Sequence, residues 1–261
     1  MQALRIAATG MDAQQTRVEV ISNNIANMST TAYSARRAEF ADLHYQQVKP
    51  PGAITSTSGL VAPAGVQIGL GVRASAVAVN MQQGSLKQTG GDLDIAIEGD
   101  GFFEVTLPSG EAAYTRDGSF KRTGEGLVVN SEGYPLAGDI AVPFDARSLT
   151  INAEGDIFAF FDGQTDGQQI GTINLVSFSN EKGLEAIGSN LFRETAASGA
   201  PQSGLPGQDG RGVLRQGYLE ESSVDVVQQI ADLIEAQRGY ELNSKVITAA
   251  DQMLGATTQI R

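Results

Sequence analysis

Cysteine and tryptophan are absent from this 261-residue sequence, and histidine occurs once, at His44. Without cysteine the chain has no disulfide, no thiol nucleophile and no thiolate ligand for a metal. One histidine is too few for a histidine-rich zinc site. We therefore expect the chain to hold no metal and no cofactor.

Long apolar runs and an excess of positive charge are also missing. No run approaches the ~20 residues that cross a bilayer, and residues 1–10 lack the apolar centre of a cleaved secretion signal. The formal net charge is −12, whereas a nucleic-acid binder needs a basic face. We expect neither a membrane span nor a nucleic-acid partner.

The N-terminal residues 1–28 contain no proline and one glycine, and their apolar residues recur every seven positions. This spacing predicts an amphipathic helix with two seams. The first seam is Leu4, Met11, Val18 and Ile25, and the second is Ala7, Gln14, Ile21 and Met28.

The C-terminal residues 224–256 repeat this pattern and predict a second long helix. One seam is Val226, Leu233, Tyr240, Ile247 and Leu254, and the partner seam from Ile230 is mostly polar, so Ile234 and Val227 widen the apolar stripe instead. Neither helix is stable alone in water. The two helices either pair only with each other or pair and also pack against neighbouring subunits, and the polar residues of the seams favour the second alternative.

The middle of the chain, from about residue 70 to 218, changes to a period of two. Short apolar runs alternate with Asp-Gly and Glu-Gly turns every 8–12 residues, which is typical of an antiparallel β domain. Nine of the ten phenylalanines lie between residues 102 and 192, where the core of such a domain is expected. The fold class is therefore α+β, with a β-rich domain inserted between two terminal helices.

No constellation of residues predicts catalysis. His44 lies two residues after Asp42, but no nucleophile completes a triad, so we expect a surface or interface histidine. The acidic run from Asp92 to Asp100 lacks the glycine and glutamate positions of a calcium-binding loop. We expect no catalytic residues and no small-molecule substrate.

Four ordered blocks resemble the flagellar rod and hook family of axial proteins. They are ISNNIAN with STTAY at 21–33, QGSLKQTG and DIAIEGDGFF at 83–103, YTRDGSF at 114–120, and the C-terminal run from QGYLE at 216 to AADQM at 253. The residues that carry the resemblance are Asn23, Asn24, Asn27, Tyr33, Gly99, Gly101, Phe102, Phe103, Tyr114, Arg116, Asp117, Gly118, Tyr218, Gln237, Arg238, Asn243 and Lys245. Two positions depart from the family pattern: Ala32 replaces a glycine, which predicts a more relaxed turn, and Gly239 replaces an alanine.

Length and one segment distinguish branches within this family. Hook subunits are longer, and the stretch from Pro50 to Val72 resembles a segment of the distal rod branch. Its marker residues are Pro50, Pro51, Gly65, Ile68, Gly69 and Gly71.

The resemblance implies a structural subunit that polymerises helically into a hollow drive shaft and is not an enzyme. The helices would form an inner coiled-coil domain (residues 1–30 and 222–261), followed outward by an extended connector (31–74) and the outer β domain (75–221). Implied partners are further copies of the chain, proximal rod and hook proteins at the ends of the polymer, the P-ring and L-ring proteins around it, and the flagellar type III export apparatus. The implied location is the basal body, in a rod that spans the periplasm.

Three alternatives stay open at this point. The chain could be a proximal rod or hook subunit of the same family. It could instead be a secreted peptidoglycan- or glycan-binding β module whose helices serve for oligomerisation. An acidic glycosidase would need two carboxylates whose mutation abolishes turnover, and none stands out.

The Pro50–Val72 segment yields a direct prediction about polymer shape. An extended segment wedged between protofilaments would block sliding and keep the polymer straight. Deleting residues 50–66 should therefore give curved polymers in electron micrographs, and straight polymers after the deletion would contradict the prediction.

Overall fold

The structure is a computed structural model that describes residues 2–50, 64–138, 140–162 and 166–259. It divides into two compact units. The helical unit holds residues 1–26, 36–78 and 225–261, as far as they are described, and the β unit holds residues 27–35 and 79–224. Within the described residues no helix is long and apolar enough to span a membrane.

The helical unit contains two long helices and two strand pairs. Its elements are α1 (Gln2–Ala26), β1 (Arg36–Asp42), β2 (Tyr45–Lys49), β3 (Val66–Gly69), β4 (Val72–Val79, whose last residue belongs to the β unit) and α2 (Val226–Gln259). Strand β1 pairs with β4, and β2 pairs antiparallel with β3. At the start of α2 the Asp225 carboxylate accepts hydrogen bonds from the backbone N–H groups of Val227 and Gln228. Asp225 thus caps the helix, which begins at Val226, two positions after the expected start.

The β unit is built from fifteen further described strands and a short 3-10 helix. The strands are β5 (Leu86–Gln88), β6 (Ile95–Glu98), β7 (Phe103–Thr106), β8 (Ala112–Thr115), β9 (Lys121–Arg122), β10 (Val128–Val129), β11 (Ala146–Ile151), β12 (Asp156–Phe161), β13 (Gln168–Thr172), β14 (Leu175–Ser177), β15 (Glu185–Gly188), β16 (Leu191–Arg193), β17 (Gln202–Gly204), β18 (Val213–Gln216) and β19 (Tyr218–Glu220). The 3-10 helix spans Glu181–Gly183.

Small antiparallel sheets make up this unit. A four-stranded sheet has the order β15-β16-β8-β7, a three-stranded sheet has the order β11-β12-β13, and β6, β5 and β14 pair with β18, β19 and β17. The expected α+β class, with helices at both ends of the chain and an antiparallel β-rich middle, is confirmed.

Two apolar clusters form the core of the β unit. The larger cluster gathers inward residues of many strands, among them Ile97, Phe103 and Leu136. The smaller one is aromatic: the Phe102 ring meets Phe178 and Phe192 edge-on, with ring centroids 5.9 and 6.0 Å apart. Such edge-to-face pairs stabilise beyond simple burial.

Replacing Phe102 by alanine tests the aromatic cluster. Phe102 is fully buried, so Phe102→Ala should lower the free energy of unfolding by about 3–5 kcal/mol. Guanidinium denaturation followed by circular dichroism measures the loss. The matched control is Phe144→Ala, because Phe144 is 66% exposed and its loss should cost about 0.5 kcal/mol or less. Equal losses would contradict this account of the core.

Candidate functional site

Helices α1 and α2 pack against each other through small side chains. The residues buried on the two helices include Ala7 and Ala13 of α1 and Ala236 and Ala250 of α2. Small residues let helix backbones approach closely, but each contributes little apolar area. The packing therefore leaves larger side chains outside the helix pair.

Charged and amide side chains bridge the two helices. The Arg17 guanidinium lies 3.0 Å from Glu235 Oε2 and 3.5 Å from Asp232 Oδ1. Asn24 is buried, donates to Gln229 Oε1 at 3.0 Å, and exchanges two hydrogen bonds with the backbone of Arg36. Asn24 thus ties the end of α1 both to α2 and to the start of β1.

Two glycines receive amide side chains from the opposite helix. A Cβ added at Gly10 would lie 2.8 Å from Asn243 Nδ2, and one at Gly239 would lie 3.2 Å from Gln14 Cδ. Gln14 Oε1 is buried and has no hydrogen-bond partner within the described part of the chain. An unsatisfied buried acceptor costs about 1–3 kcal/mol, so Gln14 is not there to maximise helix stability.

The structure corrects one detail of the expected seams and identifies the residues of α2 that face α1. Helix α1 ends at Ala26, so Met28 lies in the turn that follows, half-exposed, and not on the helix. On α2, the second seam toward α1 consists of Gln229, Ala236, Asn243 and Ala250. Ile230 and Ile234 are exposed, and their expected role in contacts between subunits stays a prediction. Pattern reading favoured the larger apolar residues, whereas close helix packing selects the small and polar ones.

The remaining seam residues lie partly exposed on both helices. Leu4, Met11, Val18 and Ile25 of α1 are half-buried, as are Val226, Leu233 and Ile247 of α2, whereas Ile21 is buried. The large apolar residues of α2 that remain exposed are Val227, Ile230, Ile234, Tyr240, Leu242, Val246, Met253 and Leu254.

In the β unit, the signature residue Arg116 is the centre of a buried charged cluster. Its Nε donates to Glu220 Oε2 at 3.0 Å, and both side chains are about 95% buried. Its two terminal nitrogens donate to the carbonyl oxygens of Gly101 and Gly99 at 3.1 and 3.0 Å. Both glycines have positive φ, 134° and 113°, a conformation that lets this turn present both carbonyl groups.

Glu220 also joins the two segments that lead to the helices. Its carboxylate accepts the N–H of Gly84 at 3.0 Å, and its backbone carbonyl accepts the N–H of Ala32 at 2.9 Å. Two further bonds follow: Ser223 N–H donates to Tyr33 O, and Ala35 N–H donates to the Ser223 hydroxyl, both at 3.0 Å. The residues before β1 and after β19 are thus hydrogen-bonded to each other.

The turn at Ala32 is not relaxed. Ala32 has φ +54° and is buried, so it adopts the left-handed conformation that a glycine would favour. For an L-residue this conformation costs roughly 1–2 kcal/mol. The hydrogen bond from Ala32 to Glu220 holds the turn in place despite that cost.

Other signature residues of the β unit have structural contacts. Burial, followed by the carboxylates of Glu104 and Glu194, raises the pKa of Tyr114 to about 12, so its phenol stays neutral at pH 7. The Asp117 carboxylate accepts the N–H of Ser119 at 3.0 Å. Gly118 leaves no room for a Cβ, which would collide with the carbonyl oxygen of Ile95.

The last signature residues differ in their surroundings. Asn27 accepts hydrogen bonds from the N–H and the hydroxyl of Thr30, and the Arg215 guanidinium lies over the ring of Tyr218. Asn23, Gln237, Arg238 and Lys245 are exposed on the helices.

The Pro50–Val72 segment is described only at its ends. Pro51 lies outside the described residues, as does the stretch to residue 63. Pro50 is exposed, Gly65 precedes β3, Ile68 pairs with Gln46, and Gly69 pairs with Tyr45. Gly71 lies so close to Thr9 of α1 that a Cβ there would collide with the Thr9 hydroxyl.

The described residues offer little for catalysis. They contain no group of three His, Asp or Glu side chains that could hold a metal ion. His44 is exposed. Burial and the Asp100 carboxylate raise the pKa of Glu181, against the opposing effect of Arg116, but no nucleophile accompanies that carboxyl group in the described contacts.

Sequence reasoning missed the contacts between the helices. The heptad pattern does not indicate Arg17 or Glu235, and Asn243 stands out only as a residue of the family signature. The signal that could have found them is positional: Gly10, Arg17 and Asn24 are seven residues apart and interrupt the apolar pattern of α1.

Three sequence families match the chain. They are "Flagella basal body rod protein" over residues 4–33, "Flagellar hook protein FlgE/F/G D1 domain" over residues 96–159, and "Flagellar basal body rod FlgEFG protein C-terminal" over residues 215–260.

Full-length relatives are also similar to the chain. The flagellar basal-body rod protein FlgG of Caulobacter vibrioides is 51% identical over 261 residues, which is 100% of both chains. FlgG of Agrobacterium fabrum is 47% identical over 97% of each chain, and FlgG of Bacillus subtilis is 37% identical over 97% of each.

Replacing Arg116 by methionine tests the buried charged cluster. Arg116→Met leaves the Glu220 carboxylate buried without its cation, which should cost about 3–5 kcal/mol of unfolding free energy. Guanidinium denaturation measures the loss, and adding Glu220→Gln should recover part of it.

The control is the exposed pair of Arg193 and Glu185, 2.9 Å apart. Arg193→Met should change stability by at most about 1 kcal/mol. If the two arginine variants lost the same stability, burial of the Arg116 pair would not be what makes it important.

Proposed function

We infer the function from one premise: the chain belongs to the FlgG family of flagellar basal-body rod proteins. We propose that it is a structural subunit of the flagellar distal rod in the basal body, and that it is not an enzyme. Its activity is assembly, so the site to explain is the surface through which copies of the chain meet.

The exposed apolar surface of α2 is the observation that carries this proposal. Eight large apolar side chains on this helix are exposed, among them Val227 at 79% and Leu242 at 62%. Soluble monomers rarely leave large contiguous apolar patches in contact with water, and such patches mark interaction sites. Copies of the chain that cover this surface would remove it from water.

The expected seam residues belong to this interface in our proposal. They are Leu4, Ala7, Met11, Val18, Ile21, Ile25, Val226, Ile230, Leu233, Ile234, Tyr240, Ile247 and Leu254, with Met28 adjoining them. The small residues close each helix pair, and the larger ones face neighbouring subunits as an inner coiled-coil layer. A contact between two different surfaces of identical subunits continues without closing and gives an open helical polymer.

The finer architecture follows from the same proposal. Residues 1–30 and 222–261 form the inner domain, 31–74 a connector with the straightening segment, and 75–221 the outer domain of a hollow shaft that transmits torque. Proximal rod and hook proteins adjoin its ends, P-ring and L-ring proteins surround it, and the type III export apparatus delivers its subunits into the periplasm-spanning rod. The net charge of −12 supports a water-facing outer surface.

An aspartate in the exposed surface of α2 tests the proposal. Ile234→Asp should abolish polymerisation, because assembly would bury an unpaired carboxylate. It should leave the unfolding free energy of the unassembled chain nearly unchanged, since the side chain is already exposed. Electron microscopy and sedimentation of concentrated protein at neutral pH report polymerisation.

The matched control is Ile234→Val, which keeps an apolar side chain and should still give polymers. Unchanged polymers from Ile234→Asp would refute the proposed interface. A wild-type chain that stays monomeric and binds peptidoglycan fragments would instead favour a glycan-binding module.

A further inference from the structure

Apolar heptads alone do not determine how far along α2 the helix α1 lies. Leu233, Tyr240 and Ile247 recur every seven residues, so a slide of one heptad brings apolar side chains back to the same level. A unique axial register therefore needs contacts that do not repeat, as buried polar residues provide in coiled coils.

The polar contacts between α1 and α2 do not repeat, and they agree on one register. Gly10 faces Asn243, Gln14 faces Gly239, and Asn24 bonds to Gln229. From Gly10 to Gln14 to Asn24 the position on α1 advances by four and then ten residues. From Asn243 to Gly239 to Gln229 the position on α2 goes back by the same four and ten residues, as a single antiparallel register requires. Arg17, which bonds to Glu235 and Asp232, lies at the matching level.

A slide by one heptad breaks these contacts in either direction. One slide would place Val246 beside Gln14 and Ala236 beside Asn24. The other would place Ser222 beside Asn24, and Gln228 and Asp225 beside Arg17 in place of Glu235 and Asp232. Asn24 would lose Gln229 in both directions, whereas Arg17 would lose both carboxylates in one direction and one of the two in the other. A polar group without its partner is costly when it is buried. The observed register is the one that satisfies them.

Gln14 shows that the seam is built for more than stability. Its buried oxygen lacks a partner among the described residues, yet the side chain fits above Gly239, where any Cβ would crowd it. A leucine at position 14 would bury more apolar area with no unsatisfied oxygen, but it would fit almost equally well one heptad away.

We propose that the polar seam of Gln14, Arg17, Asn24, Gln229, Glu235 and Asn243, with the two glycines, sets the axial register of α1 against α2. The apolar residues contribute burial but not register. The consequence rests on the proposed function: a fixed register holds the exposed side chains of α2 at one height relative to α1. Every subunit of a polymer then presents the same surface to its neighbours.

Distance measurement on the unassembled full chain tests the register directly. The chain has no cysteine, so nitroxide labels can be attached at Ala8→Cys and Ala249→Cys, which are exposed positions on α1 and α2. Pulsed electron paramagnetic resonance should give one narrow distance in the otherwise unsubstituted chain. A slide of one heptad displaces the labels by about 10 Å along the helix axis.

The decisive variant combines Gln14→Leu, Arg17→Leu, Gln229→Leu and Asn243→Leu in the labelled chain, so that Asn24 also loses its partner on α2. We expect circular dichroism to show unchanged or increased helix content, and the single distance to broaden or split. The matched control is Leu233→Ala with Ile247→Ala, which removes apolar contacts of the other seam. It should reduce helix stability but keep one narrow distance.

Several results would overturn the proposal. One is a single unchanged distance in the fourfold leucine variant, and another is a broad distribution in the unsubstituted chain. Loss of helix content in the fourfold variant would also overturn it, because the polar residues would then be needed for folding and not for register. Electron microscopy of the same preparations is a separate readout: a wild-type chain with one distance but no polymers would count against the proposed function alone.

Discussion

The close packing of α1 on α2 is the constraint on which the arrangement of the helical unit depends. The two helices come from opposite ends of the chain, yet alanines, glycines and amides fill the space between them. Large apolar side chains such as Leu242 and Met253 lie outside this space and are exposed. A surface suited to assembly is thus a geometric result of how closely the helices approach.

In the β unit, a buried ion pair accompanies the apolar core. Most of its core is apolar and aromatic packing. The buried Arg116 is an exception: its guanidinium donates hydrogen bonds to Glu220 and to two backbone carbonyl groups, which take the place of water as its partners. A buried ion pair contributes less to stability than it costs to break. The Arg116 pair instead acts on conformation, because all of its hydrogen bonds form only in one arrangement of the turn at residues 99–101 and of the strand that carries Glu220.

The sequence predicts the larger features well. Heptad spacing predicts both helices, and period-two runs with Asp-Gly turns predict the antiparallel middle, because each pattern follows directly from side-chain geometry. It predicts the inner seam of α2 less well, since Gln229, Ala236 and Asn243 look unremarkable beside Ile230 and Ile234. Which face turns inward depends on how closely a second helix approaches, and that distance is a tertiary property. Arg116 could be recognised from its motif, but its partner Glu220 is 104 positions away and only the fold identifies it.

The hydrogen bonds between residues 32–35 and 220–223 have a mechanical consequence. The chain passes between the two units four times, after Ala26, Ala35, Ala78 and Val224. The residues just before the second and the fourth passage are bonded side by side within the β unit, through Tyr33, Ala35 and Ser223. A pull on either passage is therefore shared with the other, and the bonds between them must break together. Tension on this part of the β unit would therefore load both chain segments at once, and neither segment would fray alone.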